Sequence, residues 1–280
     1  MRTPELASLL ILASLSTAAW FLPLGCKQRR QATAIGISGI GLILLIQLLH
    51  MSRLEAADRL FDWAPALWIL TVYWQCGKFF TQPNQKLQDA LERFDRNHAS
   101  GLLKSWTCRW SKTWLGTFFE LAYLLCYPLL PVGVAMLYAA KLRSAADAYW
   151  TPILISTYLC YLVLPFAQTI PPRSAGPGLE FPATRMRRLN LWLLRHASIQ
   201  VNTFPSAHVA SSVAASLALL RLVPIAGIVF LILSACIAVA AVLGRYHFLL
   251  DVLTGAAIPV ITFIVFAFLD FSAGIQFVRT

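Results

Sequence analysis

The sequence is short of charge. Only 12% of its 280 residues are Asp, Glu, Lys or Arg, about half the share of an ordinary soluble domain. No CxxC pair occurs among the six cysteines, Cys26, Cys76, Cys108, Cys126, Cys160 and Cys236, which argues against zinc-ribbon and thioredoxin-like sites. Most of the six lie in or beside apolar runs and read as small buried hydrophobes rather than metal ligands or disulfide partners. Internal repeats and low-complexity tracts are missing as well, so neither a solenoid nor a disordered chain describes it.

What is abundant is apolar surface. Hydrophobic residues make up 58% of the chain, and runs near the length that crosses a hydrocarbon core, about 20 residues, recur at 6–25, 32–49, 63–80, 114–140, 149–170, 206–223, 225–243 and 252–269. The pattern predicts an all-α polytopic membrane bundle of about eight transmembrane helices. The first run is longer than a signal-peptide core, and no small-x-small cleavage site precedes Lys27, Arg29 and Arg30, so it is expected to be a span. Its "PLGC" has Pro23 where a lipoprotein box wants a small aliphatic residue.

The net charge of +11 does not point to nucleic acid. The bases sit in loops between apolar runs, where they orient helices and meet anionic lipid head groups. With eight spans, seven Lys and Arg fall on the side of the termini (Arg2, Arg53, Arg59, Lys141, Arg143, Arg221, Arg279) and 16 on the other, which by the positive-inside rule would make those 16 cytoplasmic.

Two connections are long, 81–113 and 171–205. In the first, Leu87, Ala90, Leu91 and Phe94 fall at helical spacing among polar residues, the pattern of a surface helix that serves either as a connector or in handling substrate. In the second, "RMRRLNLWLLRH" sets Leu189, Trp192, Leu193 and His196 on one stripe, with Arg185, Arg187, Arg188 and Arg195 mostly off it. That describes a basic interfacial helix, which either gathers anionic lipid or anchors the loop.

Chemistry is concentrated in "FPSAH" (204–208) and "GRYHFLLDVLTG" (244–255). If helical, His247 and Asp251 stand four apart on one face, so the carboxylate can accept from one imidazole nitrogen and leave the other as a nucleophile. Two spans separate His208 from His247, which brings both to one membrane face, and ionisable groups near a membrane boundary are functional by default. Proline suits a first helical turn. Ser206, Ala207 and His208 would then offer free N–H groups at a helix mouth, a site suited to phosphate, and a protonated His208 can protonate a departing alkoxide. His50, His98 and His196 lack such company and read as structural.

These two stretches resemble the second and third motifs of the type 2 phosphatidic acid phosphatase and vanadium haloperoxidase superfamily. The likeness is greatest to the branch holding inositol phosphorylceramide synthases and related bacterial membrane proteins. It implies a phosphohistidine formed on His247, Asp251 as its orienting partner and His208 as general acid, with no metal or other cofactor. "LPFAQTIPPRSAG" resembles the Pro-Pro-Arg variant of the first motif and makes Arg173 the phosphate clamp, or else an interfacial arginine. The common third motif has arginine six residues before its histidine, where this chain has Ala241. Arg245, two before His247, is a candidate phosphate ligand together with Ser206 and Ala207.

The resemblance covers roughly 63–269, so residues 1–62 are expected to be an extension of two spans and 63–280 a six-helix core. It implies a phosphorylated membrane lipid as substrate and a phosphatase that works through a phosphohistidine. The alternatives are transfer of the phospho-head-group to an alcohol or lipid acceptor, and a non-enzymatic lipid-phosphate transporter. The family's usual location, the outer face of a bacterial inner membrane, conflicts with the charge count.

Overall fold

The computed structural model describes residues 1–52, 54–174 and 184–273, the last four by backbone alone. Arg53, Arg279 and the stretch 175–183 of the second long connection lie outside them. Among the described residues there are α-helices and short 3-10 and π turns but no strand. In chain order the helices are α1 (Thr3–Phe21), α2 (Cys26–Met51), α3 (Glu55–Trp63), α4 (Pro65–Cys76), α5 (Gln85–His98), α6 (Ser100–Ser105), α7 (Trp114–Leu124), α8 (Cys126–Ala139), α9 (Ala146–Val163), α10 (Arg185–Ala197), α11 (Ala207–Leu222), α12 (Pro224–Leu243) and α13 (Leu249–Ala273). This is an all-α membrane bundle.

Every apolar run holds a helix, though not every one of these helices is long and apolar enough to count as a span by itself. Among the described residues, four helices are long and apolar enough to cross a membrane: α1, α2, α12 and, within α13, Leu249–Leu269. The pair α7 and α8, bent by 60°, makes a fifth if taken as one span. Prolines account for much of the difference. Pro65 opens α4 and separates it from α3, and α9 ends at Val163 with Leu164 as its C-cap, just before Pro165. Pro128 has no N–H to return to the Leu124 carbonyl, and the bend falls at Leu125. Helix α11 has only 16 residues.

Helix α11 is central, packing against α8, α9, α12 and α13. Its inner positions are small, Ala210, Ala214, Ala215, Ala218 and Ser216, which lets neighbouring backbones come close. The Ser216 and Ser234 hydroxyls meet at 2.9 Å between α11 and α12. On the outside, α1 and α2 pack on α4 and α9. There Gln75 Nε2 donates to the Leu12 and Ala32 carbonyls and the Ser16 hydroxyl at 3.0–3.2 Å. At the end where the chain begins, Arg2 joins Glu5, Asp62 and Asp147, and Arg143 joins Asp62 at 2.7 Å. The opposite end carries the long connections.

The cysteine expectation holds for Cys76, Cys126 and Cys160, which are buried, but Cys26 and Cys108 are exposed. Cys26 opens α2 and Cys108 lies in the short π turn after α6, so their place beside apolar runs does not bury them.

The two amphipathic helices bury polar side chains beside apolar ones. Helix α5 buries Gln88, Leu91 and Asp95, and α10 buries Arg187, Asn190 and Leu194. The stripe of Leu189, Trp192, Leu193 and His196 does lie together, but Leu189 and Trp192 are exposed, facing away from the protein.

Candidate active site

Three segments meet at the end remote from the chain start: 165–174, 198–208 and 244–251. Because most of their residues lie outside helices, their backbone polar groups need partners from elsewhere. Gln168 ties the first segment to the run before α5. Its Oε1 accepts from the Thr81 and Gln82 amides at 2.7 and 3.2 Å, and its Nε2 donates to the Phe79 and Pro165 carbonyls. The Gln88 side chain bonds both the amide and the carbonyl of Ile170.

The second segment is pinned to the first by Thr169. The Thr169 carbonyl accepts from the Asn202 amide at 2.6 Å, and its hydroxyl accepts from the Thr203 amide at 3.0 Å. Ser206 is the N-cap of α11, and its own amide donates to the Asp251 carbonyl at 3.0 Å. Gly255 permits this docking, since a Cβ there would run into the Ser206 carbonyl. The free N–H groups at the helix mouth therefore begin at Ala207 and His208, and the Ser206 amide is not among them. Ser206 is fully buried, and its hydroxyl has no partner.

The third segment begins as a Schellman turn. The Tyr246 amide donates to the Ala241 carbonyl at 2.9 Å and the Arg245 amide to Val242 at 3.0 Å, which satisfies the end of α12. Arg245 has φ 59°, a left-handed position usually filled by glycine. The turn aims its side chain at Asp95, 3.4 Å away, outside the cavity described below, while its carbonyl accepts from the Arg173 amide at 3.1 Å. Burial pulls both partners toward neutrality, raising Asp95 and lowering Arg245, and each opposes the shift of the other.

His247 precedes α13 rather than lying within it, so its relation to Asp251 is not that of two residues on one helical face. Asp251 sits in the first turn of α13, where its Oδ2 accepts from the Phe248 amide at 2.9 Å in the manner of a capping box. The same oxygen is 3.4 Å from His247 Nδ1. The closer partner of Nδ1 is the Thr203 carbonyl, at 3.1 Å. A carbonyl can only accept, so Nδ1 carries a proton, and in the neutral ring Nε2 is the nitrogen with the lone pair.

His208 and His247 face each other edge to plane with ring centroids 6.0 Å apart. They share a cavity of about 50 Å3 with Arg173, Asn202, Ala207 and Tyr246. His208 is held between Tyr123 and Tyr127 at 6.0 and 5.7 Å, with Cys126 Sγ 3.9 Å from its Nδ1. All three come from the α7–α8 bend. Arg173 lies over the Tyr246 ring, 5.6 Å from its centroid. Burial lowers this guanidinium from its ordinary value, but arginine starts so high that it stays a cation.

Of the residues expected from sequence, Arg173, Ala207, His208 and His247 line one cavity, with Asp251 behind His247. Ser206 and Arg245 do not line it. Sequence reasoning passed over a buried network beneath Tyr246. Glu120 accepts from Arg187 Nη1 at 2.7 Å, Asn190 Nδ2 at 2.7 Å and the Tyr246 hydroxyl at 2.5 Å. Arg187 Nη1 also bonds the Gly244 carbonyl. The available signal was Glu120 itself, a lone acid inside an apolar run.

A family model described as the PAP2 superfamily matches residues 90–265, a stretch that takes in all three segments. No curated protein and no solved structure gives a significant match.

Proposed function

The chain belongs to the PAP2 superfamily, and on that premise we propose that it is a membrane lipid phosphatase that works through a phosphohistidine on His247. The observation that carries this reading is the pairing of His247, whose Nε2 is left free by the Thr203 carbonyl, with His208 across a cavity that also holds Arg173.

His247 Nε2 attacks phosphorus in line, and the bond from phosphorus to the lipid oxygen breaks. His208 protonates that oxygen as it leaves. Among the described residues no carboxylate contacts His208, so the bound phosphate supplies the negative charge that favours its protonated form. Arg173 and the Ala207 and His208 amides stabilise the phosphoryl oxygens. Asp251, 3.4 Å from Nδ1, stabilises the ring's positive charge once Nε2 is phosphorylated. Water, losing its proton to His208, then attacks phosphorus, the P–N bond breaks and phosphate departs. The mechanism needs no metal.

One observation favours a second reading in which an alcohol replaces water. Ala241, at the position where the common third motif has arginine, is fully buried in α12 and provides no cation. This agrees with the resemblance to the phosphotransferase branch. Purified protein with a chelator, given lipid monophosphates and polyprenyl diphosphates in mixed micelles, should release phosphate. A product with a new head group when alcohols are added, and no free phosphate, would instead establish transfer.

The proposed location is the outer face of a bacterial inner membrane. Three of the 16 bases on the site side, Arg173, Arg187 and Arg245, are engaged in the site or its supports and say little about topology. Native thiols can decide the question. Exposed Cys26 and Cys108 lie at the site end, since Gln28, in the first turn of α2, reaches the Phe80 carbonyl and Trp106 shares a recess with Gly244. A membrane-impermeant maleimide should label both in intact cells. Labelling only in inverted vesicles would put the site in the cytoplasm.

A further inference from the structure

Asn202 is out of place by ordinary rules. It is 7% exposed, its backbone is left-handed at φ 60°, and neither Oδ1 nor Nδ2 has a hydrogen-bond partner. A buried carboxamide without partners is costly, and the fold holds this one firmly. Its amide is bonded to the Thr169 carbonyl, and the next residue's carbonyl anchors His247 Nδ1. Asparagine tolerates left-handed backbone better than most side chains. The side chain lines the cavity shared by Arg173, His208 and His247.

We propose that Asn202 is a substrate-binding residue whose carboxamide Nδ2 donates to a non-bridging oxygen of the phosphoryl group. The inference rests on the phosphoryl-transfer reading of the cavity and deepens it. Phosphoryl oxygens are acceptors and use the N–H donors, while Oδ1 is left for a hydroxyl donor, such as the water or alcohol that enters after the first step. With both atoms unpaired, this holds for either orientation of the carboxamide. A ligand of this chemistry removes the burial cost on arrival, so the cavity binds most tightly when a phosphoryl group is inside it.

The left-handed backbone provides an informative pair of variants. Asn202→Gly removes the carboxamide without backbone strain, and Asn202→Asp keeps the shape but replaces a donor by a negative charge. The full chain in detergent and lipid micelles would be titrated with inorganic phosphate and followed by phosphorus nuclear magnetic resonance. Losing one hydrogen bond to a charged group should weaken phosphate roughly tenfold in Asn202→Gly. Asn202→Asp should weaken it by about a hundredfold or more, through the lost bond and like-charge repulsion together. Melting temperatures should stay near wild type. Equal phosphate affinity in all three proteins would overturn the role of Asn202 and leave the phosphoryl site standing. Equal weakening in both variants with a matching fall in melting temperature would make Asn202 structural and also overturn it. Failure of the wild type to bind phosphate would overturn the phosphoryl site and this inference together.

Discussion

Replacing His247 by alanine is expected to abolish phosphate release, a fall of about four orders of magnitude or more, as when a covalent nucleophile is removed. The loss should be chemical rather than structural. His247 is bonded through one ring nitrogen to the Thr203 carbonyl, and Thr203 is independently held by Thr169, so the segment keeps its place when the ring is gone. A lipid phosphate carrying radioactive phosphorus should leave acid-labile label on wild-type chain and none on His247→Ala. His208→Ala should slow both steps on lipid esters, whereas on an aryl phosphate whose leaving group needs no proton it should spare the release of the phenolate in the first turnover and slow only the later release of phosphate. Undiminished label on His247→Ala would sink the assignment of the nucleophile. Lipid movement across vesicles that continues in His247→Ala, with no release from wild type, would favour a transporter.

Glu120→Ala should produce the largest loss of stability. Removing the carboxylate takes a 2.7 Å ion-pair partner from buried Arg187 and an acceptor from both Asn190 and Tyr246. Breaking one side of a buried ion pair costs about 3–5 kcal/mol, which for a chain of this size lowers the melting temperature by roughly 10 °C. Activity should fall as well, because Tyr246 carries Arg173 on its face and stacks on Tyr123 at 3.9 Å. An apolar replacement of the whole pair, Glu120→Leu with Arg187→Leu, should recover much of the stability but not the activity, since desolvated charges give way well to apolar packing. Thermal melts of the two single variants and the double variant in one detergent measure the coupling. Additive losses would show that the pair does not act as a unit.

How much of this was legible in the sequence varies with the range of the interaction. Composition alone carries the all-α membrane bundle, because the bilayer core imposes helices on an apolar chain. The order of Pro-Ser-Ala-His and a later His and Asp is enough to anticipate that His208 and His247 meet. The errors come from assuming helix where the chain turns. Periodicity places His247 and Asp251 on one helical face, whereas a Schellman turn ends α12 and α13 begins only at Leu249. The same turn points Arg245 at Asp95, a residue 150 positions away that no local pattern links to it. The Ser206 amide is used by Asp251 across a contact that Gly255 permits, a matter of tertiary approach. Asn202 is polar in a polar loop, and only its burial without partners distinguishes it.

Helix α10 buries Arg187 and Asn190 and leaves Leu189 and Trp192 outside. Arg185, Arg188 and Arg195 are exposed beside them, and a helix that presents tryptophan, leucine and arginine together on its outer side suits the surface of a bilayer. Its inner side is fastened to the candidate site through Glu120 and Gly244; on the proposed lipid-phosphatase reading, Leu189 and Trp192 would rest among acyl chains and give the site a fixed height relative to the head groups. Selectivity would on that reading begin with depth, since a lipid's phosphate must hang at that waterline before its shape matters at all.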